Sequence, residues 1–162
     1  MKSGPVKSIA LPPFQDLLDA HRDEVYRFLV FTAGPGEAAD CFQETMLSAL
    51  RAYPTLSDAS NLRGWLFTIA HHKAVDGHRA RARRPVPAAA LPEPAVAPVE
   101  IEDPKLWAAV RRLPEKQRAA VVLRFVADLP YARIAAITGG TEAAARQNVR
   151  AGLIRLREEW TP

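Results

Sequence analysis

Six prolines, at positions 85, 87, 92, 94, 98 and 104, interrupt the middle of this 162-residue chain. Each removes a backbone donor and fixes φ, and inside a helix each would clash with the preceding turn. No continuous helix can therefore run from Pro85 to Pro104. The same stretch holds alanines and the acids Glu93, Glu100, Glu102 and Asp103, with no Lys or Arg. It reads as an extended, semi-stiff acidic tether. The fold class expected is all-α: two small helical modules, 14–84 and 104–162, joined by a flexible linker over 85–103 and preceded by a tail over 1–13.

Helical periodicity dominates both sides of the tether. Leu17, Leu18, His21, Val25, Phe28 and Leu29 mark one amphipathic segment, and Ala38, Phe42, Thr45, Met46, Ala49 and Leu50 mark a second, with Gly34-Pro35-Gly36 as the break. A third helix begins after Asn61 and passes Trp65, Leu66, Ile69, Ala70 and Val75 to an arginine cluster at 79, 81, 83 and 84. Pro54, Ser57, Asp58 and Ser60 make the segment Tyr53 to Asn61 a loop. Beyond the tether, helices are expected over 106–113, 115–126, 131–137 and 141–159. No strand pattern and no internal repeat is evident.

The 48% apolar composition supports a folded core. The formal charge is only +4, but the basic cluster before an acidic tether is a segregation that suits a polyanionic partner, as well as a solvated helix end. Cys41 is the one cysteine, so no internal disulfide can form, and no Cys and His cluster has structural-zinc spacing. Cys41 falls on the apolar pattern with Ala38 and Phe42, which reads as a buried small hydrophobe. Residues 1–13 lack the apolar core of a signal peptide, and no segment offers the roughly 20 apolar residues of a membrane span. A soluble, cytoplasmic protein is expected.

The C-terminal module ends in a helix-turn-helix pattern. Pro130 is placed near the start of a short helix packed through Ile134, Ala135 and Ile137. After Gly139-Gly140, Thr141 is a good N-cap and Glu142 suits the first-turn dipole. On the last helix Ala145, Val149, Leu153 and Leu156 are expected inward, turning Arg146, Gln147 and Arg150 outward. These three, with Asn148, can hydrogen-bond base edges or phosphates in a major groove. A solvated helix in a small bundle would give the same pattern; the basic module upstream favours DNA.

In the N-terminal module Asp40, Gln43, Glu44 and Leu47 fall at i, i+3, i+4 and i+7, a polar face distinct from the apolar one. A leucine there suggests a protein partner, though a solvated helix with one stray leucine is the plainer alternative. His72 and Asp76 share a helical face as metal ligands can, yet no third or fourth ligand is evident. Neither a metal, a cofactor nor a catalytic site is expected.

Four blocks converge on a family: Asp40-Cys41-Phe42-Gln43-Glu44-Thr45, Gly64-Trp65-Leu66-Phe67-Thr68-Ile69-Ala70, Leu113-Pro114-Glu115-Lys116-Gln117-Arg118 and Ile134-Ala135-Ala136-Ile137. In these blocks the chain resembles bacterial extracytoplasmic-function sigma factors, over roughly residues 14–84 and 104–159. The resemblance implies a promoter-specificity subunit of RNA polymerase, with a region 2 module for the minus-10 element and a region 4 module for the minus-35 element.

By that resemblance Asp40, Gln43 and Glu44, with Leu47 on the same face, bind the clamp coiled coil of the core polymerase's largest subunit, whose basic surface an acidic helix complements. The loop Tyr53 to Asn61 is the family's specificity loop, which captures a flipped base, with Asn61 its nearest amide. Arg63, Lys73, Arg79 and Arg81 supply phosphate contacts to minus-10 DNA, a sequence-independent and salt-sensitive contribution. Trp65 and Phe67 can stack on bases, but Trp65 in an apolar stripe reads as packing. Thr141, Arg146, Gln147, Asn148 and Arg150 fall to minus-35 DNA. Many family members are also held by an anti-sigma factor between the modules, and the acidic tether is either a nucleic-acid mimic in the polymerase channel or a passive connector.

The recognition helix departs from the family pattern. Thr141-Glu142-Ala143-Ala144-Ala145 precedes Arg146 where a Ser or Pro and a Gly-Thr-Val-like step are usual, and Ala151 and Gly152 stand where basic residues are common. Weak affinity for an isolated minus-35 site is expected. Two rivals predict differently: a stand-alone helix-turn-helix regulator would bind duplex DNA without polymerase, and a helical adaptor would tolerate loss of Arg146 and Arg150.

Overall fold

In the computed structural model, residues 9–83 and 102–160 are described; the tether expected over 85–103 lies almost wholly outside them. Among the described residues there are seven α-helices: α1 (Phe14–Ala33), α2 (Pro35–Ala52), α3 (Leu62–Arg83), α4 (Pro104–Arg112), α5 (Glu115–Phe125), α6 (Tyr131–Thr138) and α7 (Glu142–Glu159). A 3-10 turn at Tyr53–Thr55 follows α2.

The first three helices pack on one another around Val25, Phe28, Leu29, Leu66 and Phe67, with the Phe28 and Phe67 rings edge to face at 5.5 Å between centroids. The reversal between α1 and α2 turns on Gly34, whose φ of +93° is costly for a residue bearing a Cβ. Pro35 then takes the first helical position of α2, where its missing N–H costs nothing.

In the second group α5 lies against α7, and α6 against both. Gly152 makes the α5–α7 approach close: a Cβ there would stand 2.7 Å from Val121 Cγ2. This corrects two sequence expectations. Gly152 is a buried packing position rather than a surface site missing a basic residue, and Leu153, expected inward, is exposed. The buried positions run 145, 149, 152 and 156, so the glycine takes the inward place and turns its neighbour out. On α2, likewise, Ala49 is buried and Leu50 lies exposed.

The two groups are not held apart. α1 packs on α4 and α5, and α3 packs on α6, so one hydrophobic cluster runs through both. Phe31 of α1 stacks on Trp107 of α4 with centroids 3.6 Å apart and planes 15° from parallel. Arg118 of α5 donates through Nη1 to the carbonyl of Thr32 in the last turn of α1.

Candidate nucleic-acid interface

Three surfaces carry the side chains singled out in the sequence. On α2, Asp40, Gln43, Glu44 and Leu47 are all exposed along one face, with Leu47 at 51%. Beside them Leu18, Arg22, Phe42 and Met46 complete a shallow, largely apolar groove between α1 and α2. Cys41 is buried beneath, its Sγ 3.9 Å from the Lys73 carbonyl. Burial, reinforced by the charges of Glu44 and Asp40, pushes its thiol up to about 11, so it is not a nucleophile at neutral pH.

The second surface is the loop between α2 and α3. Tyr53 is buried, and its hydroxyl donates to the Pro12 carbonyl, anchoring the loop's start. Asp58 accepts from the Ser60 N–H at 2.8 Å, a local turn that shapes the loop's far end. Asn61 closes it by capping α3: its Oδ1 accepts the Gly64 N–H at 3.0 Å. A Cβ on Gly64 would lie 2.2 Å from the Asn61 amide nitrogen, so the glycine admits this cap. The Asn61 oxygen is thus committed to the backbone, while the residue still lines the cleft beside the loop.

Along α3, Trp65 is half-buried, packs against the core and also lines that cleft. Phe67, named as a possible stacking residue, is 0% exposed and packs on Phe28, which removes it from any contact with bases in this conformation. Lys73 is partly exposed. Arg79 and Arg81 lie on the last turns of α3, with side chains outside the described ones. Arg63 is tied inward: Nε and Nη2 donate to the two carboxylate oxygens of Glu24, both at 2.9 Å, and Nη2 also reaches the Ala127 carbonyl at 2.6 Å. Burial alone would raise the Glu24 carboxyl, but hydrogen bonds from Arg63 and His21 outweigh it and hold the group below its usual range.

The third surface is the turn and helix α6–α7. Gly139 adopts φ +78°, and the Gly139 and Gly140 N–H groups both donate to the Ala135 carbonyl, closing α6 in a left-handed cap. Thr141 caps α7, its Oγ1 accepting the Ala144 N–H at 3.0 Å. Thr141, Arg146, Gln147 and Arg150 are exposed and Asn148 is half-exposed. Arg146 is braced by Glu142 at 2.6 Å and by the Tyr131 ring at 5.2 Å. Tyr131 went unnoticed in the sequence; its place in the first turn of α6, facing a basic helix, is the signal that could have found it.

His72 and Asp76 are both exposed, and among the described residues no group of three or more His, Cys, Asp or Glu side chains is placed to hold a metal ion. Nor, among them, is any helix long and apolar enough to cross a membrane.

A short capped helix turning through a left-handed glycine onto a capped, outwardly basic helix defines a helix-turn-helix DNA-binding protein. The family models agree and go further. Residues 17–84 match Sigma-70 region 2 and residues 104–156 match Sigma-70 region 4. The chain is 32% identical over 160 residues to the ECF RNA polymerase sigma factor SigD of Mycobacterium tuberculosis, covering 90% of this chain and 76% of that protein. It is 29% identical over 157 residues to the ECF sigma factor RpoE of Cereibacter sphaeroides, covering 91% and 86%. Its fold resembles that of the sigma factor RpoE in a complex with the anti-sigma factor NepR from Bartonella quintana, with a TM-score of 0.73, 24% identity and coverage of 90% of this chain and 94% of that one. The chain belongs to the extracytoplasmic-function sigma factors of the sigma-70 family. It is an alternative sigma factor, a non-enzymatic subunit that directs promoter-specific transcription initiation.

Proposed function

We propose that this chain works through the three surfaces described above, in the order in which they occur. The module over 14–84 carries the polymerase and minus-10 contacts, and the module over 104–162 carries the minus-35 contacts. The observation that carries the reading is the α2 face, where Asp40, Gln43, Glu44 and Leu47 stand exposed together beside an apolar groove. A free-standing DNA binder has no use for such a face, whereas the clamp coiled coil of core RNA polymerase offers it a complementary basic and apolar partner. Leu47 would supply the desolvated centre and the acids the register.

For DNA, Asn61 and the loop before it receive a flipped minus-10 base, with Arg63, Lys73, Arg79 and Arg81 on phosphates. Thr141, Arg146, Gln147, Asn148 and Arg150 meet the minus-35 duplex. An anti-sigma factor is a further expected partner, since solved fold relatives include sigma factors in complex with NepR and with the cytosolic domain of CnrY. The cytoplasm is the compartment in which such a protein meets polymerase.

Runoff transcription from a pool of genomic promoter fragments, with purified core polymerase and with or without this protein, tests the reading. Discrete new transcripts sharing two spaced elements, lost when Asp40, Gln43 and Glu44 are changed to Ala, are the expected result. Failure to form any complex with core would sink it.

A further inference from the structure

We propose that Glu142 and Tyr131 determine minus-35 specificity as positioning residues, holding Arg146 as a reader of guanine in the major groove; this rests on the assignment of α7 to the minus-35 duplex made above. The Glu142 carboxylate accepts from Arg146 Nη2 at 2.6 Å, and the Tyr131 ring lies 5.2 Å from the same guanidinium. Tyr131 is held in turn by Arg124 of α5, whose guanidinium is 5.0 Å from the ring and donates through Nη1 to the Leu129 carbonyl at 3.2 Å. The reach of Arg146 is therefore set from α5 and α6 as well as from its own helix.

A surface Glu–Arg pair at i, i+4 ordinarily does no more than support its own helix. Two features give this one a further role. It sits in the first turns of α7, where the Thr141 cap fixes the backbone and where a recognition helix meets base edges; the exposed side chains beside it, Ala143 and Ala144, are small enough to let the groove come close. The bracing is also selective. Arg146 and Arg150 line one groove with Tyr131, yet among the described residues Arg150 is exposed with neither an ion pair nor a ring contact.

A guanidinium has five N–H donors in a fixed fork. Glu142 takes one of them, and the rest still include a parallel pair able to meet O6 and N7 of guanine. Holding the fork before DNA arrives removes rotamer freedom that binding would otherwise have to remove. The carboxylate also offsets the charge through which a loose arginine settles on any phosphate, and it sets one acceptor against another where thymine presents O4. Discrimination then comes from what the pair rejects as well as from what it binds. Arg150, with no carboxylate beside it, keeps its full charge for the DNA backbone.

The test uses holoenzyme assembled from core polymerase and the full chain, on a duplex pool made from one promoter active in the runoff assay with its upstream element randomised. Sequencing the duplexes that the holoenzyme retains is expected to show one position where the wild type prefers G over each other base by about tenfold or more. Arg146→Ala and Glu142→Gln should each cut the preference there to about threefold or less and leave the other positions unchanged, a pattern that a pair serving only helix stability does not produce. Tyr131→Phe, which keeps the ring, should retain the preference, and Tyr131→Leu should lose most of it. A Glu142→Gln profile equal to that of the wild type, or a wild type with no guanine preference that Arg146→Ala removes, would overturn the proposal while leaving the sigma-factor reading in place. Wild-type holoenzyme that initiates at no promoter in the runoff pool would sink that reading, and this inference with it.

Discussion

Arg118 on α5 and Thr32 on α1 stand 86 positions apart in sequence, and the guanidinium of one donates to the backbone carbonyl of the other at 3.0 Å. The last turn of a helix leaves carbonyls without partners and carries the negative end of the dipole. α1 has no basic residue of its own there, so the second module supplies the cation. Arg118 also donates to the Leu113 carbonyl at 2.9 Å, and burial lowers its pKa, with the nearby Glu115 charge opposing that shift. Changing Arg118 to Ala should cost about 1–3 kcal/mol, a fall of about 3–8 °C in Tm by calorimetry. Lys should recover only part of it, because an ammonium cannot present two arms in a plane.

Gly152→Ala places a methyl 2.7 Å from Val121 Cγ2 where α5 and α7 approach closely. Overpacking of this kind costs about 1–3 kcal/mol. Loss of thermal stability is expected despite alanine's better helix propensity, and urea unfolding would show it; a stabilised variant would mean that α5 and α7 part easily.

Leu47→Asp tests the α2 face. The residue is 51% exposed, so Tm should stay within about 1 °C of wild type, while affinity for core polymerase falls by tenfold or more as a charge enters the centre of an apolar contact. Equal affinity for core, measured by fluorescence anisotropy, would move the docking surface elsewhere.

Arg146→Ala should cost about 1–3 kcal/mol in minus-35 affinity and relax specificity at one base position, whereas Arg150→Ala, if that residue meets phosphate, should weaken all sequences alike and flatten the salt dependence. Glu142→Gln should act in a third way. It releases Arg146 from its 2.6 Å ion pair and should raise non-specific duplex binding.

Acid should loosen the packing between modules. His71 of α3 lies in a crevice with His78 on its own helix, Thr32 of α1, and Glu115 and Arg118 of α5. Burial, helped by His72 and opposed by Glu115, lowers its pKa below the ordinary 6.5. The packed state therefore favours the neutral ring, and its stability is fully present above pH about 6.5 and declines as pH falls below that value. Tm measured between pH 7.5 and 5.5 should fall by less in His71→Leu than in wild type.

The helices and the Thr141 cap were legible because they depend on neighbours a few residues away. Thr141 before Glu142 is such a local signal and the structure makes a hydrogen bond of it, whereas Asn61, read only as the loop's amide, turns out to cap α3 as well. The exposed faces of α2 and the first turns of α7 follow from the same 3.6-residue period. What could not be read is long-range pairing: nothing near Glu24 points to Arg63, 39 residues on in the same module, and nothing near Thr32 points across the tether to Arg118. Leu153 misled for a narrower reason. Hydropathy ranks leucine above glycine, but a close helix–helix approach selects for small volume, and the inward place went to Gly152.

The stack of Phe31 on Trp107 has a practical reach beyond packing. The half-buried indole has one face covered by a ring of the other half, and loss of that contact would expose it further to water. Emission from Trp107, isolated by replacing Trp65 and Trp160 with Phe, makes the unlabelled molecule its own optical gauge of the contact between its two halves.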